Sequence, residues 1–287
     1  MVMRDVRTVA VLGAGTMGAG IAQVAAMAGF RTLLYDVASD RAEGALGRIR
    51  ADLARGVEKG KVDPADRDRA LSSLEVRTDL RAASEGADLI IEAVPEDLAL
   101  KISVLGEAAA AAGPHAVIAS NTSALSLTEI AHALPEPSRV LGMHFFNPVP
   151  RMKLVEIVRA YQTSDETVAV ARSVAERMRK ESIVVQDLPG FASSRLGIVL
   201  GLEAIRMVES GVATPEEIDK AMKLGYGHPM GPLELTDLVG LDVRLAIAEY
   251  LHRELGGTQF QPPQLLKRMV KAGKLGRKTG EGFYKYD

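Results

Sequence analysis

Cysteine is absent from the 287 residues, which excludes disulfides, thiolate metal sites, cysteine nucleophiles and cysteine-held iron–sulfur clusters. Nothing points to an oxidising compartment, so the cytoplasm is the expected location. Net charge is nearly absent as well: 35 Lys+Arg against 37 Asp+Glu leave −2. That balance provides no global field for nucleic acid or an anionic membrane, and neither is an expected partner. The five histidines show no paired spacing and the carboxylates are scattered, so no metal is expected. Repeats and low-complexity segments are also missing. The one long uncharged run, residues 8–30, comes close to the ~20 residues of a membrane span. Five glycines and Gln23 interrupt it, and no small-residue cleavage pattern accompanies it, so neither an anchor nor a signal peptide is expected. What remains is an ordinary globular composition, 47% hydrophobic and 25% charged, long enough for one large domain or two unequal ones.

An apolar, β-rich run at 7–12 leads into Gly13-Ala14-Gly15-Thr16-Met17-Gly18. A helical stretch at 21–28 and a second strand at 32–35 follow, the grammar of a parallel βαβ unit. Helices are expected at 41–60, at 64–73 behind an Asp63 cap, and at 98–112, 127–133 and 165–178. Strands are expected at 76–78, 87–94, 117–119, 140–144, 152–158 and 182–185. The pattern changes at Asp187-Leu188-Pro189-Gly190. Beyond it lie only helical signals, at 194–210, at the Thr214-Pro215-Glu216-Glu217 start, and as one continuous helix at 235–255. The expected architecture is therefore α/β: a doubly wound, mostly parallel sheet over 1–186, followed by an all-helical domain over 187–287.

Three glycines at this spacing are a weak signal alone, but here they follow a strand and open a helix. Asp36 ends the next strand, 18 residues after Gly18, which completes the Rossmann-type dinucleotide fingerprint. The glycines allow a tight turn and close approach of a pyrophosphate, and the helix N-terminus favours its charge. The Asp36 carboxylate can accept from both ribose hydroxyls and would repel a 2′-phosphate, so NAD is the expected cofactor. Ser120-Asn121-Thr122-Ser123 follows a strand, where an open parallel sheet places its ligand crevice; a polar turn capping the next helix explains the same residues. If the chain reverses near Pro150, His144 and Glu156 are symmetric about the turn and can face each other. Glu156 shares a strand face with Met152, Leu154 and Val158 and needs a partner. A carboxylate-held imidazole is a general base; a satisfied core histidine beside an edge-strand charge is the structural alternative. The basic stretch Arg48, Arg50, Arg55, Lys59, Lys61 is either a solvated helix face or a site for a phosphate-bearing substrate.

These residues together resemble the short-chain form of the L-3-hydroxyacyl-CoA dehydrogenase family, in particular its bacterial 3-hydroxybutyryl-CoA branch. The likeness runs through Val11 to Gly18, Glu92-Ala93-Val94-Pro95-Glu96-Asp97-Leu98, Ser120 to Ser123 and His144 to Glu156. It continues in Met222 to Gly225, Pro229 to Pro232 and Lys274 to Tyr284. The resemblance implies that His144 is the acid/base, that Glu156 orients it, and that Ser123 contacts the reacting oxygen. It implies that Gly13, Gly15, Thr16, Met17, Gly18, Asp36, Glu96, Lys101, Ser123, Asn147 and Lys278 surround NAD, and that Lys59 lies near the nucleotide end of an acyl-CoA substrate. It also implies a homodimer formed by the helical domain, which closes over the cleft. One position departs. Three residues past Phe191, where the family has an Asn beside an Arg, this chain has Ser194 before Arg195. Either Ser194 reaches the reacting oxygen through water, Ser193 substitutes, or the acyl end is held differently. The resemblance thus implies NAD-dependent interconversion of a short-chain L-3-hydroxyacyl-CoA and the 3-ketoacyl-CoA. The alternatives are a relative oxidising a non-CoA hydroxyl compound and a catalytically silent dinucleotide-binding protein.

Overall fold

Strand and helix alternate through the first 188 residues of the computed structural model, which describes residues 5–286. β1 (Thr8–Leu12) enters the glycine turn and α1 (Thr16–Met27). Then come β2 (Arg31–Tyr35), α2 (Ser39–Glu58), α3 (Pro64–Ser72), β3 (Leu74–Arg77), α4 (Leu80–Ser84), β4 (Leu89–Glu92) and α5 (Leu98–Ala112). β5 (Val117–Ser120), α6 (Leu127–His132), β6 (Val140–Phe145), β7 (Leu154–Arg159), α7 (Asp165–Arg177) and β8 (Glu181–Gln186) complete this unit. Side-chain oxygens mark many of the helix starts. Asp63, Asp79, Asp97, Ser126 and Ser164 each accept a backbone N–H from the first turn of α3, α4, α5, α6 and α7, an arrangement worth about 1 kcal/mol apiece. The glycine turn differs, because α1 begins at Thr16, five residues earlier than its apolar periodicity suggests.

The eight strands form one sheet in the order β3-β2-β1-β4-β5-β6-β7-β8. β1 to β6 are parallel, β7 is antiparallel to β6, and β8 is parallel to β7. β4, β5 and β6 are buried along their whole length, as expected of strands covered on both faces. Chain order reverses between β1 and β4, so a crevice opens beyond their C-terminal ends. The loops after β1, β4, β5 and β6 all leave from that edge.

Residues 189–287 form the second compact unit. It contains α8 (Ser193–Glu209), α9 (Pro215–Gly225), α10 (Pro232–Val239), α11 (Leu241–Leu255) and α12 (Gln264–Lys271), with no strand longer than an isolated bridge among the described residues. Its core joins Ile198, Leu202 and Ile205 to Leu233, Leu241, Leu251, Phe260 and Leu266. The single helix expected at 235–255 is in fact two. Gly240 takes φ +105°, outside helical space, and breaks the run between α10 and α11. α12 carries no sequence expectation; its eight residues bury only Leu266, too short a stripe to stand out. Two buried carboxylates fasten this unit. Asp219 accepts from Leu233 N and Glu234 N at 2.8 Å and from the Tyr284 hydroxyl. Asp237 accepts from Phe283 N and Tyr284 N at 2.9 Å and from the Tyr286 hydroxyl. Burial and Asp237 push the Tyr286 hydroxyl up to about 12. The Lys274–Tyr284 stretch is therefore a clasp, and a Cβ at Gly282 would sit 2.2 Å from Asp237 Oδ1.

Candidate functional site

The nucleotide end of the crevice is built from backbone. Gly13 holds φ +102° with Ala93 O 2.8 Å from where a Cβ would stand, and a Cβ on Gly18 would fall 1.7 Å from Gly13 O. These two glycines are demanded by the turn itself. Gly15 is different: nothing lies within 4 Å of its missing Cβ, so the space above it is open. α1 starts there with no side-chain cap, and Thr16 and Met17 form its first turn. Unclaimed N–H groups, the positive end of a twelve-residue helix and a backbone bare of side chain make a fit for a pyrophosphate. Asp36, buried at the end of β2, accepts from Ala14 N and Ala38 N at 3.0 Å, one through each oxygen. Each carboxylate oxygen keeps a further acceptor site. Arg41 Nε stands 3.8 Å from Asp36, and Arg48 Nη2 donates to Ala14 O at 2.9 Å.

Past β4 and β5 lies a charged cluster. Glu92 is fully buried and accepts from Lys101 Nζ at 2.9 Å through both oxygens, from Val94 N, and from the Ser120 hydroxyl. Lys101, 1% exposed, also donates to Val94 O and stands 3.2 Å from Glu96. Glu96 is exposed and accepts from the Thr122 hydroxyl at 2.5 Å and from Ser123 N at 3.1 Å. The loops carrying Glu96 and Ser123 are thus bound to one another. Asn121 has a structural contact: its Oδ1 accepts Phe145 N at 2.9 Å and anchors the end of β6. Glu92 and Asn121 lie in motifs named from sequence, but these partners of theirs were not foreseen. The signal for Glu92 was the one used for Glu156, a carboxylate inside an otherwise apolar strand.

The register of β6 against β7 places His144 directly across from Glu156. His144 Nδ1 lies 2.7 Å from Glu156 Oε2; the His144 side chain is 8% exposed and the carboxylate fully buried. With Nδ1 donating to Glu156, Nε2 is the acceptor nitrogen. The Phe146 ring packs on the imidazole at 4.5 Å between centroids, tilted by 47°. This pair has the arrangement of an oriented general base: the carboxylate fixes tautomer and ring plane and can balance the charge of an imidazolium.

Beside these loops, α1, α2 and residues 147–151 enclose a groove of about 370 Å³ whose lining includes Thr16, Gln23, Arg48, Arg55, exposed Asn147 and Arg151. Asp52, also on this wall, accepts from Gln23 and Arg55, contacts that hold its carboxyl below the usual range against the opposing effect of burial. Lys59 is exposed at the end of α2. The second unit carries two of the sequence-predicted residues. Ser194 lies in the first turn of α8, half-buried, and Lys278 Nζ donates to Asp242 Oδ1 and Oδ2 at 2.5 and 2.6 Å. Among the described residues no cluster of three metal-ligating side chains occurs, and no helix is long and apolar enough to cross a membrane.

Relatives of known sequence and structure match nearly the whole length of the chain. The chain is 47% identical to a protein of Bacillus subtilis described as a probable 3-hydroxybutyryl-CoA dehydrogenase, across 99% of this chain and 98% of that one. It is 44% identical to the 3-hydroxybutyryl-CoA dehydrogenase of Mycobacterium tuberculosis, across 98% and 99%. Among solved structures, the (S)-3-hydroxybutyryl-CoA dehydrogenase PaaH1 of Ralstonia eutropha superimposes with a TM-score of 0.95 at 40% identity, covering 99% of this chain and all of that one. Residues 8–188 match the family pattern described as 3-hydroxyacyl-CoA dehydrogenase, NAD binding domain, and residues 190–286 match its C-terminal domain. With both halves of the pattern present in order and together spanning nearly every residue, the chain belongs to the 3-hydroxyacyl-CoA dehydrogenase family.

Proposed function

We propose that the protein interconverts a short-chain L-3-hydroxyacyl-CoA, 3-hydroxybutyryl-CoA above all, with its 3-ketoacyl-CoA using NAD. The observation that carries this reading is the His144–Glu156 pair, buried at the same sheet edge as the glycine turn. Gly13, Gly15, Thr16, Met17 and Gly18 would hold the pyrophosphate, and Asp36 the adenosine ribose. Glu96 and Asn147 stand at the nicotinamide end, with Lys278 contributed by the second unit; Lys101, nearly enclosed by Glu92, acts on the cofactor through Glu96. When bound, the nicotinamide supplies the acceptor or donor of hydride. In oxidation His144 Nε2 takes the proton of the substrate hydroxyl, Nδ1–H stays on Glu156, and the carboxylate stabilises the resulting imidazolium. In reduction His144 returns that proton to the carbonyl oxygen. The Ser123 hydroxyl positions that oxygen, and the Ser194 hydroxyl is the proposed second donor to it.

The groove holding Arg48, Arg55 and Arg151 supports a phosphate-bearing chain, with Lys59 beyond it at the nucleotide end of CoA. We infer a homodimer built on the helical unit, because Leu196, Leu224 and Tyr226 are each more than 70% exposed there. The absence of cysteine supports a cytoplasmic location. The test is oxidation of NADH with acetoacetyl-CoA, set against the free acetoacetate anion. Turnover confined to the thioester is the expected result; turnover of the free acid at equal efficiency would leave the basic groove without a role.

A further inference from the structure

A second cavity, about 320 Å³, lies between the C-terminal half of α1, the end of α7 and residues 150–153. It adjoins the groove described above, sharing Gln23, Pro150 and Arg151 with it, but continues away to a different set of side chains. Its apolar wall comes from Val24, Met27, Leu53, Val62 and Met178. Arg151, Lys153, Arg177, Arg179 and Lys180 also line it, and no carboxylate does. Arg177 is committed elsewhere: it donates to Val6 O at 2.6 Å and lies over the Phe30 ring at 3.9 Å. Arg151, Lys153 and Arg179 are exposed, and none is in an ion pair among the described residues; Arg151 acts only at longer range on Asp52.

Two features show that this collection is more than a solvated rim. Arg179 sits at φ +55° just past α7, where its N–H bonds Glu176 O and the next N–H reaches back to Ala175 O. That helix ending favours glycine, the residue that takes a left-handed conformation without steric cost. An arginine there places a guanidinium at the cavity against local preference. Lys180, only 8% exposed, donates to Val149 O at 2.5 Å and Met152 O at 2.7 Å, which uses two of an ammonium's three donors. A nearly buried cation without a carboxylate, with a third donor that those carbonyls do not use, lines a cavity with basic side chains on one side and an apolar wall on the other.

We propose that this cavity binds an aliphatic carboxylate. Its head is held by Lys180 with Arg179 and Lys153, and its tail lies on Val24, Met27, Leu53 and Met178. Methionines suit an aliphatic chain because they adapt to its shape, and the planar guanidinium matches a carboxylate. The size is at the lower end of small-molecule pockets, about 300 to 1,000 Å³. The assignment does not depend on the reaction proposed above.

The experiment is calorimetric titration of the full-length protein with octanoate, with inorganic phosphate as a head-only probe, in the presence and absence of saturating CoA and NADH. Saturable octanoate binding that survives both ligands, and much weaker binding of phosphate, is the expected result. The variant carrying Arg179→Gly and Lys153→Gln should bind octanoate about tenfold more weakly or worse, the scale of a lost charge-assisted hydrogen bond. Because glycine suits φ +55° and Lys153 is exposed, the double variant should melt no lower than the parent, and its melting curve separates weakened binding from misfolding. The proposal is overturned by absence of octanoate binding, by its displacement with CoA or NADH, by equal affinity for phosphate, or by unchanged binding in the double variant.

Discussion

Replacing Glu156 with Gln removes one charge from the buried pair and changes almost nothing else. The amide oxygen can take the place of Glu156 Oε2, 2.7 Å from His144 Nδ1, and keep the imidazole in its tautomer. What disappears is the carboxylate's attraction for the imidazolium formed when His144 takes the substrate's proton. For charges about 4 Å apart at an effective dielectric of about 20, that attraction is about 4 kcal/mol. At about 1.4 kcal/mol per factor of ten, kcat should fall by about 10³-fold. NADH affinity should hold, since Glu156 is on β7, four strands along the sheet from β1 and its glycine turn, and the melting temperature should not drop. Steady-state NADH consumption with acetoacetyl-CoA, alongside NADH fluorescence titration, measures both quantities. A folded variant with kcat within fivefold of the parent would show that Glu156 only satisfies a buried histidine, and the account of the acid/base pair would fail.

Other substitutions separate the remaining roles. His144→Ala should lower turnover by about 10² to 10⁴ with NADH binding retained, and near-normal turnover would remove His144 from the chemistry. The parent should prefer NAD strongly over NADP because Asp36 repels a 2′-phosphate. Asp36→Ser should narrow that preference, with Arg41, 3.8 Å away, then left to meet the phosphate; measured kcat/KM ratios for the two cofactors decide it. Ser194→Ala should reduce kcat/KM with acetoacetyl-CoA about tenfold, the equivalent of one neutral hydrogen bond. If neither it nor Ser194→Asn alters the kinetics, Ser194 lies away from the reacting oxygen. Gly18→Ala should abolish NADH binding and lower the melting temperature, because its methyl group would occupy the position of Gly13 O; an unchanged melting curve would contradict the packing described for the turn.

Much of this was legible because periodicity and caps agree along the chain. The βαβ start, the Asp63 cap and the Thr214-Pro215 start all follow from local rules, and the structure has each of them. The pairing of His144 with Glu156 was readable from symmetry about Pro150 together with a carboxylate that had no apolar reason to be in its strand. The break at Gly240 was not, since an isolated glycine within a helical pattern is tolerated as often as it ends one. Nor was the commitment of Lys101 to Glu92, or of Arg48 to Ala14 O. Both contacts cross loops, at separations of 9 and 34 residues that carry no periodic signal. Asp219 and Asp237 were invisible for the same reason: their partners are 14 to 65 residues away.

The central claim is that hydride passes between nicotinamide and C3 of a short-chain acyl-CoA while His144 handles the proton. Incubating the protein with acetoacetyl-CoA and NADH dideuterated at C4, then analysing the product by mass spectrometry and chiral chromatography, tests it directly. The account predicts L-3-hydroxybutyryl-CoA carrying one deuterium at C3, formed far more slowly by His144→Ala. Absence of reduced product, or product with solvent hydrogen at C3, would contradict it.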